Sequence, residues 1–427
     1  MTSRPVMMKS TLLKYAGLAL GVCLALPSMA APLDTTGLRL DKVVLVMRHG
    51  IRPATDTVEL QSWSAKTWPA FGTRDGQLTA HGRAATVLLG QWQRHTLDSL
   101  GLFKAGQCPQ VGEAYVWSSP VARTQATSAA LVQGMFPGCN VAVHHVRERE
   151  DRLFHGGENG LAPLDPAQTQ AAMLAAMGGS VDAARERFAA PVLAMQQLVG
   201  VPTACGKKTC TLSEQSWALK EKAGVIKLGG PLSVGAAMSE TFRMQYAEGL
   251  PLDQVAFGEG RTAADVSRLM ALRSGKYALS NHVPYIARRG ASQLLGQILL
   301  ALQPASVGSP PGTKWLAYVG HDSNIAQLRT LLGFDWKIAE YPENDAAPGG
   351  TIAFERWVND RTGAQFVSVA YVAQSLDQLR SLSDAAPYQA QYPGYAGESL
   401  MPLKGFVAEM QKRIDPSATE AQHYSSR

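Results

Sequence analysis

Three short apolar runs, each followed directly by polar residues, constrain the fold of this chain most strongly. They are residues 43–47 (Val-Val-Leu-Val-Met), 114–117 (Ala-Tyr-Val-Trp) and 315–319 (Trp-Leu-Ala-Tyr-Val). Continuous apolar runs of this length suit strands that are buried on both faces, as in the parallel part of an α/β sheet. Open α/β sheets bind ligands beyond the carboxyl ends of their strands, so the polar residues after each run are the first candidates for a site.

Helical patterns separate these runs. Apolar residues recur at spacings of three and four within 79–100, and residues 123–133 and 286–302 also predict helices. Near the C-terminus, residues 351–354 and 366–372 alternate like two paired strands.

Residues 162–273 differ from the rest of the chain. They are rich in Ala, Met, Gln and Leu with few β-branched runs, which indicates a mostly helical insertion. We therefore predict an α/β fold with a mixed, mostly parallel central sheet flanked by helices. Residues 33–155 and 286–427 form this main domain, and residues 156–285 form a smaller, inserted α-helical domain.

The residues after the first run suit the chemistry of phosphoryl transfer. Arg48 and Arg52 bracket His49, and guanidinium groups match phosphate oxygens bidentately while staying charged. A histidine between two cations should have a lowered pKa, because like charges disfavour the imidazolium. His49 would then remain a neutral nucleophile in mild acid.

A second pair of reactive groups follows the third run. His321 could donate to a phosphate oxygen, and Asp322 could protonate the leaving alkoxide. The Arg-His-Gly element and the His-Asp pair, at the ends of two separate buried strands, are much stronger evidence for a phosphoryl-transfer site than either motif alone.

The chain resembles the histidine acid phosphatases, the branch that includes bacterial periplasmic phytases and glucose-1-phosphatases. The matching motifs follow the family's order along nearly the whole mature chain. They are Met47–Pro53 (MRHGIRP), residues 78–82 (LTAHG), Cys108-Pro109, residues 121–124 (VART), residues 320–324 (GHDSN), residues 348–350 (PGG) and residues 354–357 (FERW).

This resemblance implies a fold, an activity and roles. The chain is expected to hydrolyse phosphomonoesters through a phosphohistidine intermediate on His49, with Asp322 as the proton donor. The residues expected to hold the phosphate are Arg48, Arg52, Arg123 and His321. No cofactor and no metal is implied, because the arginines supply the positive charge.

The loop after the first motif departs from the family pattern. Pro53 follows Arg52 directly, and Ala54 takes the usual proline position. This change leaves the catalytic residue types of the motif as they are in the family. Asp56 stands where the phytases tend to carry a lysine, and this argues against a strong preference for phytate. Ser323 after the His-Asp pair is similar to the glucose-1-phosphatases. The candidate pocket residues are Thr55, Asp56, Glu240 and Arg288.

The N-terminus predicts export. Lys9 and Lys14 precede an apolar run at residues 15–27, and Ser28-Met29-Ala30 suits signal peptidase, so residues 1–30 read as a signal peptide. An uncleaved membrane anchor is the alternative, but the run is shorter than the ~20 residues that span a bilayer. We expect a periplasmic or secreted protein with no membrane contact after cleavage.

Cysteine usage agrees with export. Removal of the signal leaves four cysteines, which allow three pairings in an oxidising compartment. Neighbourhood in the sequence favours Cys108–Cys139 and Cys205–Cys210. A zinc site at the second pair is disfavoured, because its spacing is wide and no histidine lies nearby.

Charge and the remaining histidines limit the other partners. The formal charge of +6 falls to +3 once Arg4, Lys9 and Lys14 leave with the signal, too weak a surplus to imply nucleic acid. His155 and Glu158 lack an evident third ligand, so no metal site is predicted there. The expected partner is a small phosphomonoester.

Two other functions fit part of this sequence pattern. A phosphoglycerate-mutase-like enzyme would share the Arg-His-Gly element, but the export signal, the cysteines and the His321-Asp322 pair oppose it. A catalytically silent phosphosugar-binding protein would be expected to lack His49 or Asp322, and both are present.

Overall fold

The first apolar run becomes the middle strand of a mixed sheet in a computed structural model of the chain. The structure describes residues 1–2, 33–202, 211–222, 225–305, 310–395 and 397–424. The predicted signal peptide (apart from its first two residues), Cys205 and Cys210 lie outside the described residues.

The described part of the central sheet has eight strands in the order β10-β8-β7-β1-β6-β2-β3, with β9 paired to β8. Strands β2, β3 and β6 run parallel to β1, and β7 is antiparallel to it. Strand β8 is antiparallel to β7 and therefore runs in the direction of β1, while β9 and β10 are antiparallel to β8. Five of the eight strands (β1, β2, β3, β6 and β8) thus run in one direction. The predicted mixed, mostly parallel sheet is confirmed. The strands are β1 (Arg39–Arg48), β2 (Ala114–Ser118), β3 (Val143–His144), β6 (Trp315–Gly320), β7 (Thr351–Val358), β8 (Gln365–Ala373), β9 (Tyr388–Gln391) and β10 (Met401–Pro402).

Helices cover both faces of this sheet, and a second group lies between α3 and α9 in the chain. Their bounds are α1 (Thr57–Ser62), α2 (Ala80–Ser99), α3 (Ala122–Met135), α4 (Pro166–Met177), α5 (Val181–Val199), α6 (Pro231–Ala247), α7 (Ala263–Leu269), α8 (Ala271–Ala278), α9 (Pro284–Ala301), α10 (Asp322–Leu332), α11 (Leu376–Ser381) and α12 (Leu403–Arg413).

Strand β1 is buried on both faces because its side chains alternate between two apolar cores. Val44 and Val46 pack in the core that contains residues of α9, α10 and α12. Val43, Leu45 and Met47 pack in the core that contains residues of α2 and α3. A strand that is covered in this way reads as a continuous apolar run, which is why the sequence revealed it.

Residues 156–285 contain α4 to α8 and also a strand pair that the sequence prediction missed. Strands β4 (Ala218–Lys222) and β5 (Val225–Gly229) form a separate antiparallel hairpin. Each strand is only five residues long and carries charged residues, so the Ala-rich composition of the surrounding region concealed them. Leu60 in α1 and Trp68 in the loop after α1 share a core with this region. Residues 33–427 form one compact unit, and their division into two domains stays a prediction.

Within the described residues, no helix combines the length and apolar character needed to cross a membrane.

The disulfide Cys108–Cys139 is present and joins the loops that follow α2 and α3. Its half-cystines are 31 residues apart, so it should restrict the unfolded chain substantially. We expect Cys108→Ser/Cys139→Ser to lose about 3–4 kcal/mol of unfolding free energy on the chain-entropy model. Urea unfolding under non-reducing conditions measures this loss, and an unchanged midpoint would contradict it.

The second predicted disulfide, Cys205–Cys210, has its own test. Non-reducing peptide mapping should recover these two cysteines joined to each other.

Candidate active site

The ends of three parallel strands bring the predicted site residues to one edge of the sheet. The backbone N–H of His49 donates to the carbonyl of Gly320 (3.0 Å), and that of Ser119 donates to the carbonyl of Val319 (2.9 Å). These bonds align the carboxyl ends of β1, β2 and β6 with one another. The rings of His49 and His321 consequently lie with their centroids 5.8 Å apart.

Two glycines let the loop after β1 press against the start of α2. A Cβ on Gly82 would stand 2.7 Å from the carbonyl oxygen of Ile51, and a Cβ on Gly50 would stand 2.9 Å from Leu78. The Gly50 N–H donates to the hydroxyl of Thr127 in α3 at 3.1 Å. The conformation of the loop around His49 is therefore fixed from two helices.

His49 is held as a neutral imidazole with a defined tautomer. Its Nδ1 lies 2.9 Å from the carbonyl oxygen of Gly50, and because a carbonyl only accepts, Nδ1 carries the proton. The lone pair is then on Nε2. Burial first, and then the charges of Arg48, Arg52 and Arg123, lower the pKa of His49 well below its ordinary value. This ring is suited to nucleophilic attack in mild acid.

Arg48 is fully buried and belongs to a network of charges behind the site. One of its amino groups donates to the Ala346 carbonyl (2.6 Å), and the other bonds to the carboxylate of Glu240. Burial favours the neutral form of Glu240, but Arg243, Arg273 and Arg48 outweigh it and hold its pKa well below the ordinary value. A buried anion of this kind is stable only because cations surround it.

Arg243, Arg273 and Asp345 complete this network, and the sequence analysis missed all three. Arg243 bonds to Glu240 and to Asp345. Arg273 lies 2.8 Å from Glu240 and 3.0 Å from Asp322, and its guanidinium sits over the ring of Tyr277. One signal in the sequence could have indicated a buried ion pair, because Glu240 and Arg243 stand three residues apart in a largely apolar stretch. The partners on other elements are set by tertiary folding.

Asp322 begins α10 between two of these arginines. Its Oδ2 lies 3.3 Å from Arg48 and 3.0 Å from Arg273, while its Oδ1 accepts from the N–H of Ser323. Burial acts to raise the pKa of Asp322, but Arg48 and Arg273 override it and hold the pKa well below its ordinary value. Without a bound anion, this carboxyl is ionised.

His321 lies between Arg123 and a hydroxyl. An Arg123 amino group approaches Nδ1 at 3.3 Å, and the Ser119 hydroxyl lies 3.1 Å from Nε2. Burial, then the charges of Arg123 and His155, lower the pKa of His321 to about 3. Burial also lowers the pKa of Arg123 to about 10, which leaves it charged at neutral pH.

Comparison with known proteins agrees with this geometry. A family model described as the histidine phosphatase superfamily (branch 2) matches residues 39–372. The chain belongs to this family.

Individual members of the superfamily align over most of the chain. Phytase AppA of Escherichia coli (strain K12) is 29% identical over an alignment of 414 residues, and the alignment covers 93% of each protein. A glucose-1-phosphatase of Salmonella typhimurium is 30% identical over 388 residues, covering 88% of this chain and 90% of that protein. The crystal structure of a Klebsiella phytase superposes with a TM-score of 0.82 at 33% identity, covering 91% of this chain and 100% of that one.

The candidate pocket residues of this histidine phosphatase take different positions. Thr55 and Asp56 are exposed on the loop beyond Arg52, where the Asp56 carboxylate caps α1 by accepting from the N–H of Glu59. Glu240 lies behind the site, bonded to arginines. Arg288 is exposed and donates to the Ile414 carbonyl (3.1 Å), so it is directed toward the C-terminal segment. The helix phase of α9, which sequence position alone does not fix, accounts for its placement.

Three cavities lie next to the charged cluster. The first, of about 470 Å³, has a lining that includes Pro53 and Ala54, directly after Arg52, and Thr241, directly after Glu240. The second, of about 200 Å³, is lined by Arg273 and Asp345 of the cluster itself. The third, of about 190 Å³, is lined by residues that include His155, Ser323 and Gln327. Across the described ranges, no group of three or more His, Cys, Asp or Glu side chains is arranged to hold a metal ion.

The burial of Glu240 predicts a large cost for removing its charge. Glu240→Gln keeps the side-chain shape but leaves three buried arginines with one anion fewer, so we expect a loss of about 3–5 kcal/mol in unfolding free energy. Urea unfolding provides the measurement. Asp360→Asn is the control, because it breaks the exposed Arg39–Asp360 pair and should cost no more than ~1 kcal/mol. Equal losses in the two variants would show that the network does not depend on this carboxylate.

Proposed function

We propose that this chain is an acid phosphatase that hydrolyses phosphomonoesters through a phosphohistidine intermediate. His49 is the nucleophile, and Asp322 protonates the leaving group. Arg48, Arg52, Arg123 and His321 bind the transferred phosphoryl group. The observation that carries this proposal is the neutral His49 ring, which has its lone pair on Nε2 and is subject to the charges of Arg48, Arg52 and Arg123.

The reaction proceeds in two displacements. Nε2 of His49 attacks phosphorus while the ester P–O bond breaks, and the leaving oxygen takes the proton of Asp322. Water then attacks the phosphohistidine, Asp322 accepts a proton from that water, and the P–N bond breaks to release phosphate and neutral His49. Arginines stabilise the charge on the phosphoryl oxygens in both steps, which is the main requirement of this chemistry.

Substrate binding must change the state of Asp322, because the free carboxyl is ionised. A bound phosphate places negative charge against Arg48 and Arg52, which also lower the pKa of Asp322. Like charge raises the pKa of a carboxyl, so the substrate itself favours the protonated acid. This coupling favours acidic conditions, in which His49 still stays neutral because its own pKa is lowered.

Exposed carboxylates in the segment that borders the 470 Å³ cavity favour small sugar phosphates over phytate. Asp75 lines this cavity together with the cation Arg74, and Asp56 and Glu59 are exposed in the stretch between its lining residues Ala54 and Leu60. A polyanionic substrate would meet these carboxylates as like charges, whereas a single phosphate would meet the arginines of the site. The relatives carry both names, phytase and glucose-1-phosphatase, and Asp56 is our reason for choosing the second type.

We also propose export to the periplasm or beyond, because residues 1–30 have the pattern of a signal peptide and the mature chain carries a disulfide. Nucleic acid is not expected as a partner.

The role of Asp322 predicts a dependence on the leaving group. Asp322→Asn should slow hydrolysis of glucose 1-phosphate by about 10²–10⁴-fold, because the alkoxide then leaves without a proton. p-Nitrophenyl phosphate has a stabilised leaving group and should be slowed less. Steady-state kcat on both substrates tests this. Equal losses on the two substrates would contradict the assignment of Asp322 as the acid.

The position of Asp56 predicts substrate preference. The wild type should release phosphate faster from glucose 1-phosphate than from phytate, and Asp56→Lys should raise relative kcat/KM for phytate by roughly fivefold, equivalent to about 1 kcal/mol. Asp360→Lys makes the same charge change at the opposite end of β1 and should have no such effect. A wild-type preference for phytate would overturn this choice of substrate.

Metal dependence provides a separate test. Prolonged chelation should leave phosphate release unchanged, because arginines supply the charge that a metal would otherwise provide. Loss of activity on chelation and its recovery with zinc or magnesium would show that the proposed site is incomplete.

A further inference from the structure

A row of buried polar side chains lies behind His321 and has no part in the roles proposed above. The Ser119 hydroxyl lies 3.1 Å from Nε2 of His321 and 3.2 Å from Oδ2 of Asp151. His155 reaches the same Asp151 oxygen through its Nδ1 at 2.8 Å. Ser119 is fully buried and Asp151 is 1% exposed.

The chemistry of the donors fixes the direction of every hydrogen bond in this row. A guanidinium only donates, so the contact of Arg123 with Nδ1 of His321 makes that nitrogen an acceptor. The proton of the neutral ring is then on Nε2, from which it is donated to the Ser119 oxygen. Ser119 has one proton of its own, which it donates to Asp151. His321 is thereby connected to a buried carboxylate through one hydroxyl.

The row is built rigidly into the fold. Asp151 also accepts from the N–H of Phe154 (3.2 Å), and the Phe154 carbonyl accepts from the side-chain amide of Asn324 (2.9 Å). The side-chain oxygen of Asn324 in turn accepts from the N–H of His321 (2.9 Å). The loop that carries Asp151 is therefore tied to the same corner that carries His321.

We propose that Asp151, acting through Ser119, is a positioning residue that holds the His321 ring and stabilises its protonated form when a phosphoryl group occupies the site. This inference rests on the proposed phosphatase function. It assigns no contact with substrate to Asp151 or Ser119.

The proton balance is simple. Without phosphate, His321 is neutral and Nδ1 accepts from Arg123. When a phosphate dianion binds, the Arg123 amino group turns from Nδ1 to the phosphate. Nδ1 takes one proton from solvent and donates it to a phosphate oxygen, while Nε2–H still donates to Ser119. The new positive charge is then two hydrogen bonds from the Asp151 carboxylate. An isolated imidazolium would be costly at this depth, and a hydrogen-bonded anion lowers that cost.

The other groups around His321 make such a counter-charge necessary. Within the described part of the chain, positive charges from several elements oppose protonation of the ring. They are Arg48 at the end of β1, Arg123 in α3 and His155 when protonated, whereas Asp322 favours protonation and His49 is neutral. Asp151 adds a second carboxylate, which is connected to the ring through Ser119.

The test compares wild type with Asp151→Asn and Ser119→Ala, using p-nitrophenyl phosphate so that proton donation by Asp322 matters little. The alkaline limb of kcat against pH reports ionisation in the enzyme–substrate complex. We expect both variants to move this limb down by about one pH unit, the lower end of the shift that a nearby opposite charge produces. Ser128→Ala is the matched control, because it removes another fully buried hydroxyl, one that donates to the Thr124 carbonyl and does not reach His321.

Binding of sulfate supplies a second measurement that needs no turnover. Sulfate remains a dianion across the range, so changes in its affinity belong to the protein. At neutral pH both variants should bind it about tenfold more weakly, corresponding to one unit of pKa, while Ser128→Ala should match the wild type.

The proposal is overturned if the alkaline limb and the sulfate affinity of both variants match the wild type, because Asp151 would then only stabilise the loop that carries it. It is also overturned if kcat falls equally at every pH, as a purely structural defect would cause. A wild type that binds sulfate but releases no phosphate would instead refute the proposed function, and the sulfate comparison would still decide the role of Asp151.

Discussion

A guanidinium buried at the end of the middle strand sets the conditions for the rest of this structure. Arg48 has no exposed side-chain surface, and a charge at that depth must be paired and hydrogen-bonded. Its partners come from distant parts of the chain: Glu240 on α6 and the Ala346 carbonyl before β7. The bonds of Arg48 to Glu240 and to Ala346 therefore connect the helical region to the sheet and hold the loop before β7 against the end of β1.

The same positive charges act in opposite ways on the two reactive groups. Burial favours a neutral His49, and the positive charges add to that effect; burial also favours a neutral Asp322, but there the positive charges override it and keep the carboxyl ionised. In the proposed mechanism, a bound phosphate dianion opposes this field. His49 is then ready as the nucleophile before substrate arrives, and Asp322 becomes protonated once substrate is bound. We consider this coupling to be the main reason for placing a carboxyl between Arg48 and Arg273.

The sequence could predict what depends on local order along the chain. Runs such as residues 43–47 are recognisable because a strand covered on both faces must be apolar throughout, and reactive residues follow where such strands end. The family and the central sheet were predicted on this basis and are confirmed. The site residues were named from the same motifs. The structure brings His49, His321 and the arginines together, while their roles stay proposals.

What the sequence could not predict depends on pairing across long separations. Arg273 and Asp345 look like ordinary surface charges until folding places Arg273 beside Glu240 and Asp345 beside Arg243 and Arg273, and Asp151 gives no sign of its link to Ser119. Glu240, which the sequence predicts as a pocket residue, lies behind the site and bonds to Arg48, Arg243 and Arg273. The β4–β5 hairpin was missed because two five-residue strands carry little periodic signal.

The central claim is that His49 carries the phosphoryl group, and trapping that intermediate tests it most directly. The enzyme would be mixed with ³²P-labelled p-nitrophenyl phosphate, quenched within milliseconds in alkaline denaturant, in which phosphohistidine survives, and mapped by peptide. We predict label on the peptide that contains His49 in the wild type and none in His49→Ala, which should also release no phosphate. A His49→Ala protein that still releases phosphate, or a wild type labelled at another residue, would contradict the account.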